Sequence, residues 1–111
     1  MGNERFVEIK GVRYPRIIIH WVDIIGDCTT VLKEEAEELK CPHLITEGFL
    51  FDVFEDDGER YVRTFATYEL GGEIGFGDRN CFPLNVLTHE SRRAVECGLI
   101  MMGKSKTLTE F

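Results

Sequence analysis

The chain has 111 residues, 43% of them hydrophobic and twelve aromatic, with a formal net charge of −7. That length suits one domain around a single modest core, and no apolar run approaches the length of a membrane-spanning helix. The charge argues against a nucleic-acid binder, which needs a basic footprint, and it is unevenly spread: net +2 over residues 1–22, −10 over 23–59 and +1 over 60–111.

The opening MGNERFVEIKG mixes charges and lacks an apolar segment, so no secretory signal is expected and the protein is placed in the cytoplasm. Reduced thiols are then the expectation for Cys28, Cys41, Cys81 and Cys97. Residues 1–15 read as an N-terminal arm. The alternation in FVEIKGVRY allows a short edge strand, with Pro15 expected to interrupt it. Residues 16–25, RIIIHWVDII, predict a strand, because β-branched and aromatic side chains suit a pleated, mostly buried surface. Gly26 and Asp27 end it. Asp23 is a charge inside that apolar run, and it must find donors if buried, either by pinning the turn or as a polar group in a shallow pocket. A helix is expected over about 30–40: Thr29 or Thr30 caps it, Leu32, Ala36 and Leu39 form an apolar stripe, and Glu34, Glu35, Glu37 and Glu38 decorate the outer face. Pro42 forbids its continuation.

Residues 44–54 and 60–70 predict a hairpin around EDDGE, with Gly58 able to take positive φ. In the second strand Val62, Ala66, Tyr68 and Leu70 are assigned to one face, and Tyr61, Arg63 and Phe65 to the other. By the same alternation Phe49 and Phe51 share a face while Phe54 points opposite, so some of these rings fill a second core or meet a partner. The stretch YELGGEIGFGDRN resembles a phosphate cradle in glycine density only. No Lys-Ser/Thr pair follows as a P-loop requires, and Asn80 stands where a dinucleotide fingerprint needs its third glycine. Ile74 and Phe76 alternate with small residues as in a twisted strand, so these glycines read as a sheet corner with Arg79 beside it. CFPLNVL is extended, THESRRAVECGLIMMG predicts a helix over about 89–102 with Thr88 as N-cap and Gly103 as stop, and 104–111 read as a frayed tail. The fold class expected is α+β and β-rich: one domain over 1–111, whose small antiparallel sheet curls into an SH3-like or Sm-like partly open barrel with the 30–40 helix inserted and the 89–102 helix at its end.

The segments HWVDIIGDCTT, TEGFLFDVFEDDGERYVRTFATY and GEIGFGDRNCFPLNVL resemble a group of small tailed-phage proteins with the pattern W-x-D, G-D, a helix, G-F-L, a hairpin with an acidic turn, and F-P. Trp21, Asp23, Gly26, Asp27, Gly48, Phe49, Leu50, Tyr61, Val62, Gly72 and Pro83 carry the match, over about residues 20–88. The chain departs from that pattern at Cys28, where serine is common, and at Leu84-Asn85, where a lysine-glycine pair follows the proline. The resemblance implies a viral origin and a β-rich fold.

The residues bear little sign of catalysis. Cys41-Pro42-His43 is not one of the paired knuckles that structural zinc sites use. Cys97 and His89 stand about 12 Å apart by helical rise, too far for a thiol–imidazole pair. No catalytic residue, metal or cofactor is therefore expected, and the chain reads as a non-enzyme. The function expected is a phage-encoded inhibitor of anti-CRISPR or anti-restriction type. It would dock an acidic face made of Glu34, Glu35, Glu37, Glu38, Glu55, Asp56, Asp57 and Glu59 on a basic host or phage protein complex, as a monomer or small homo-oligomer in the host cytoplasm, with neither nucleic acid nor membrane contacted directly. The alternatives are a small-molecule or nucleotide-binding domain built on residues 71–80, with Asp23, Asp27 and Arg79 as its polar groups, and a structural phage component using Met101 and Met102 as a self-contact.

Overall fold

The computed structural model describes residues 5–104. Strands β1 (Phe6–Ile9) and β2 (Val12–Val22) form a hairpin around Lys10 and Gly11. Their φ angles of 49 and 81° are the two left-handed residues that a two-residue type I′ turn needs. Within the expected N-terminal arm, residues 6–9 and 12–15 are thus paired sheet. Pro15 does not interrupt it but sits inside β2 opposite Phe6. Because the Arg16 amide donates to the Arg5 carbonyl, the adjacent Pro15 nitrogen faces the other edge, where the next ladder begins only at Arg16. The strand expected over 16–25 accordingly starts earlier and stops at Val22, leaving Asp23, Ile24 and Ile25 outside it.

After a four-residue helix α1 (Lys33–Ala36) come β3 (His43–Asp56) and β4 (Glu59–Phe65), joined by Asp57 and Gly58 in the same pair of left-handed conformations. The predicted acidic hairpin is present as read. Then follow β5 (Thr67–Glu69), β6 (Gly75–Gly77), β7 (Asn80–Pro83), a 3-10 turn at Leu84–Val86 and helix α2 (His89–Met101). Strands β1, β2, β3, β4 and β7 lie in that order in one antiparallel sheet, and β5 and β6 form a separate two-stranded flap. The protein is a small, strand-rich α+β fold with an antiparallel sheet and two helices. Among the described residues no pairing joins β1 to β7, so the sheet is not closed into a barrel. The tail expected to fray, beyond Lys104, lies outside the described residues.

One face of the sheet is covered by α2. Ile17, Ile19, Leu50, Val53, Val62 and Phe82 point at Val95 and Leu99, which are fully buried. Burial of each such side chain contributes about 1.5–3 kcal/mol. Gly98 lets the helix come close, since a Cβ there would stand 2.8 Å from Leu50 Cδ2. The helix starts as the sequence predicts: Thr88 accepts the Ser91 amide, and the Ser91 hydroxyl in turn accepts the His20 amide at 2.7 Å, tying the first turn of α2 to β2.

The opposite face carries rings. Tyr14, Phe49, Phe51, Phe65, Tyr68 and Phe76 pack mainly edge-to-face, with centroids 4.9–6.3 Å apart. The alternation expected along β3 is broken by a bulge between Leu50 and Asp52. Two successive residues, Phe51 and Asp52, therefore share the ring-bearing face, and Phe54 joins Phe49 there instead of pointing away. Phe54 stacks on Tyr61 at 5.3 Å. β4 ends at Phe65, and the break at Ala66 brings Tyr68 to the Phe65 side, not to the Val62 side as simple alternation predicts.

Candidate functional site

Two surfaces stand apart from the core. The first is the 20-residue connection between β2 and β3, residues 23–42. Its neck is held by the Asp23 amide, which donates to the Pro42 carbonyl at 2.9 Å, and by His20 and His43, whose ring nitrogens meet at 2.8 Å with one N–H donating to the other ring's bare nitrogen. Asp23 Oδ1 accepts the next amide, that of Ile24, so this carboxylate pins the turn leaving β2. Helix α1 spans four residues in place of the eleven or so expected. Neither Thr29 nor Thr30 caps it; Leu32 is the N-cap, without a side-chain bond. None of its residues is buried, and Leu32 and Leu39, the ends of the expected stripe, are 73% and 51% exposed. Ile24, at 85%, and Ile25 and Val31 are exposed as well.

This arm curls on itself. The Asp27 carboxylate accepts the Thr29 amide at 2.8 Å, and the backbone and hydroxyl bonds from Thr29 hold its pKa below the ordinary carboxylate value. Between that turn and α1 lies a shallow hollow of about 360 Å³, lined by Asp27, Glu35 and Glu38 together with Val31 and Leu39. Carboxylates and apolar side chains in one hollow suit a lysine or arginine, whose methylene stem packs on the apolar part while its head meets the acids.

The second surface is an open groove of about 720 Å³ on the ring-bearing face, between β4, β7 and the β5–β6 flap. Phe51, Phe65 and Phe76 line its apolar side; Arg63, Arg79 and Cys81 line the polar side. Arg63 forks onto Asp52, Nε to Oδ1 at 2.7 Å and Nη2 to Oδ2 at 2.6 Å, while its Cζ stands 4.1 Å from the Phe54 ring centre. The Asp52 hydrogen bonds raise the Arg63 pKa further, so that this cation is permanent and already neutralised. Burial pushes the Cys81 thiol up, against the opposing pull of Arg63, and it stays protonated at neutral pH. Asp78 adopts φ 50°, a left-handed conformation that short polar side chains tolerate, and accepts the Thr67 hydroxyl. That turn swings the chain from β6 into β7 and sets Arg79 at the groove. Among the described residues Arg79 forms no ion pair or hydrogen bond.

The structure disperses the residues the sequence groups together. Glu34, Glu35, Glu37 and Glu38 lie on the arm, whereas Glu55, Asp56, Asp57 and Glu59 lie at the β3–β4 turn. These are opposite ends of a 14-residue strand, on the order of 45 Å if fully extended, so they form two acidic ends and not one face. Asp23, Asp27 and Arg79 are likewise separate: Asp23 is at the neck, Asp27 in the small hollow and Arg79 in the large groove. The groove residues the sequence reading does not group are Arg63 and Cys81, which the β4–β7 register sets opposite each other, and Phe51, which that reading weighs only as a core or partner-facing ring. Among the described residues all four cysteines are free and exposed, no cluster of three His, Cys, Asp or Glu side chains is placed to hold a metal ion, and no helix is long and apolar enough to cross a membrane. No family model, curated protein or solved structure matches the chain.

Proposed function

We propose that this chain is a non-catalytic binding protein that docks on a basic protein partner through the 23–42 arm. The observation that carries this reading is the arm itself: a connection that keeps Ile24, Leu32 and Leu39 in solvent around an acid-lined hollow, at no gain to the core. The acidic surface is now narrower than the sequence suggests, with Glu34, Glu35, Glu37 and Glu38 as the docking charges and the β3–β4 turn as a separate acidic end. Together with the resemblance to small tailed-phage proteins, the arm supports an inhibitor acting in the host cytoplasm on a defence or nucleic-acid-processing complex, whose phosphate-binding surfaces supply the complementary charge. The finer fold we infer is an SH3-like, partly open barrel; what supports it is the bulge at Phe51, since bulges are the usual device by which a small sheet curls.

Quantitative pull-down from host lysate tests the arm. Joint reversal by E34K, E35K, E37K and E38K is expected to deplete the captured partner roughly tenfold or more in a salt-sensitive manner, with the melting temperature little changed because exposed charges contribute little to stability. Capture of the same species in equal amount by the reversed variant defeats the proposal.

A further inference from the structure

The groove on the ring-bearing face serves a different purpose from the arm. At about 720 Å³ it falls in the size range of small-molecule sites, which are concave, mostly apolar and furnished with a few polar groups. Its charges select among ligands. Arg63 is bound to Asp52 and Cys81 carries no charge, so neither attracts an ion from solution. Asp78 is held on the rim by Thr67 and opposes a highly negative guest. Arg79 alone is a cation with open donors, and its planar fork suits a carboxylate or a phosphate monoester. Phe51 and Phe76 offer ring surfaces beside it, 5.1 Å apart in an edge-to-face arrangement.

We propose that this groove binds a small planar molecule bearing one anionic group, with its ring against Phe51 and Phe76 and its anion on Arg79. Aromatic contact supplies most of the affinity and the guanidinium fixes orientation and charge. A triphosphate is rejected, because its surplus charge meets Asp78 with only Arg79 to balance it. The glycines once suggestive of a phosphate cradle thus contribute differently: Gly75 and Gly77 build the flap that presents Phe76.

Cys81 makes the site readable. In the full chain carrying Cys28→Ser, Cys41→Ser and Cys97→Ser, Cys81 is the sole thiol, and its alkylation by iodoacetamide reports occupancy. The probes are 2-naphthoate and adenosine monophosphate, each paired with a neutral counterpart, 2-naphthalenemethanol and adenosine. At least one anion is expected to slow alkylation at millimolar concentration, binding about tenfold more tightly than its neutral partner, as the loss of one charge-assisted contact implies. Which anion does so separates a carboxylate site from a phosphate site. Arg79→Gln should abolish the preference and Arg79→Lys restore part of it, while adenosine triphosphate protects less than the monophosphate. Protection by neither anion, equal protection by anionic and neutral probes, an unchanged preference in Arg79→Gln, or stronger protection by the triphosphate would each overturn the assignment.

Discussion

The chain contains two segments that read alike and end differently. Both 30–40 and 89–102 show apolar residues at helical spacing, polar outer faces and a threonine at the start. The second becomes 13 residues of helix, because Val95 and Leu99 find the Ile17, Ile19 and Leu50 surface and Thr88 caps the first turn. The first finds nothing to cover and shrinks to a four-residue turn with Leu32 and Leu39 in solvent. Short helices are marginal in water without a packed face. Periodicity announces that a segment can be amphipathic; only a partner surface decides whether it is a helix. In α2 that partner is the sheet; for the arm we propose another molecule.

The largest expected effects test this contrast directly. Leu99→Ala should cost about 2–5 kcal/mol in chemical denaturation, since it opens a cavity in a fully buried layer. Leu39→Ala, the equivalent truncation of the other stripe, should stay within about 0.5 kcal/mol. A Leu39→Ala loss comparable to that of Leu99→Ala would mean the arm packs on the body, and the contrast would fail.

A smaller loss is expected at Gly48. A Cβ there would stand 2.7 Å from the Phe65 carbonyl oxygen, a backbone atom that cannot swing aside. Gly48→Ala should therefore shift the β3–β4 ladder and cost about 1–3 kcal/mol, as overpacking does. An unchanged denaturation midpoint would show that this close approach is not required. Gly48 also illustrates what was legible. The glycine at the start of GFLF is visible in the sequence, yet its reason, the nearby Phe65 backbone, is a tertiary fact. The hairpin around Asp57-Gly58, the α2 start at Thr88 and the stop at Gly103 were readable because turn and cap chemistry is local. The groove was not, because the bulge at Phe51 brings Asp52 and Phe54 to the ring-bearing face and the break at Ala66 brings Tyr68 there. Arg79, which the sequence places beside the glycine segment, lines the groove, and its neighbours Arg63 and Cys81 come from β4 and β7 and meet it only through the sheet.

The smallest expected effect concerns what orders the arm in the absence of packing. Its contacts are local and polar: the Asp27–Thr29 turn, and Lys33 on Glu37 at 3.1 Å one helical turn away. The amide and hydroxyl of Thr29 stabilise ionised Asp27 and lower its pKa. A carboxylate depressed in this way supports its turn fully above its unfolded pKa, and the support is lost as pH falls through the lower folded value. Side-chain carbon shifts followed by NMR should therefore show Asp27 titrating below the ordinary aspartate value. Thr29→Ala should move the midpoint part of the way back, since the backbone bond, the larger of the two causes, survives the substitution. The denaturation midpoint of the body should not follow this titration, because the arm and the α2-covered core share no buried side chain. If it does follow, the arm's order is coupled to the core after all, and the exposed leucines are held in place by the protein itself, not kept available for a partner.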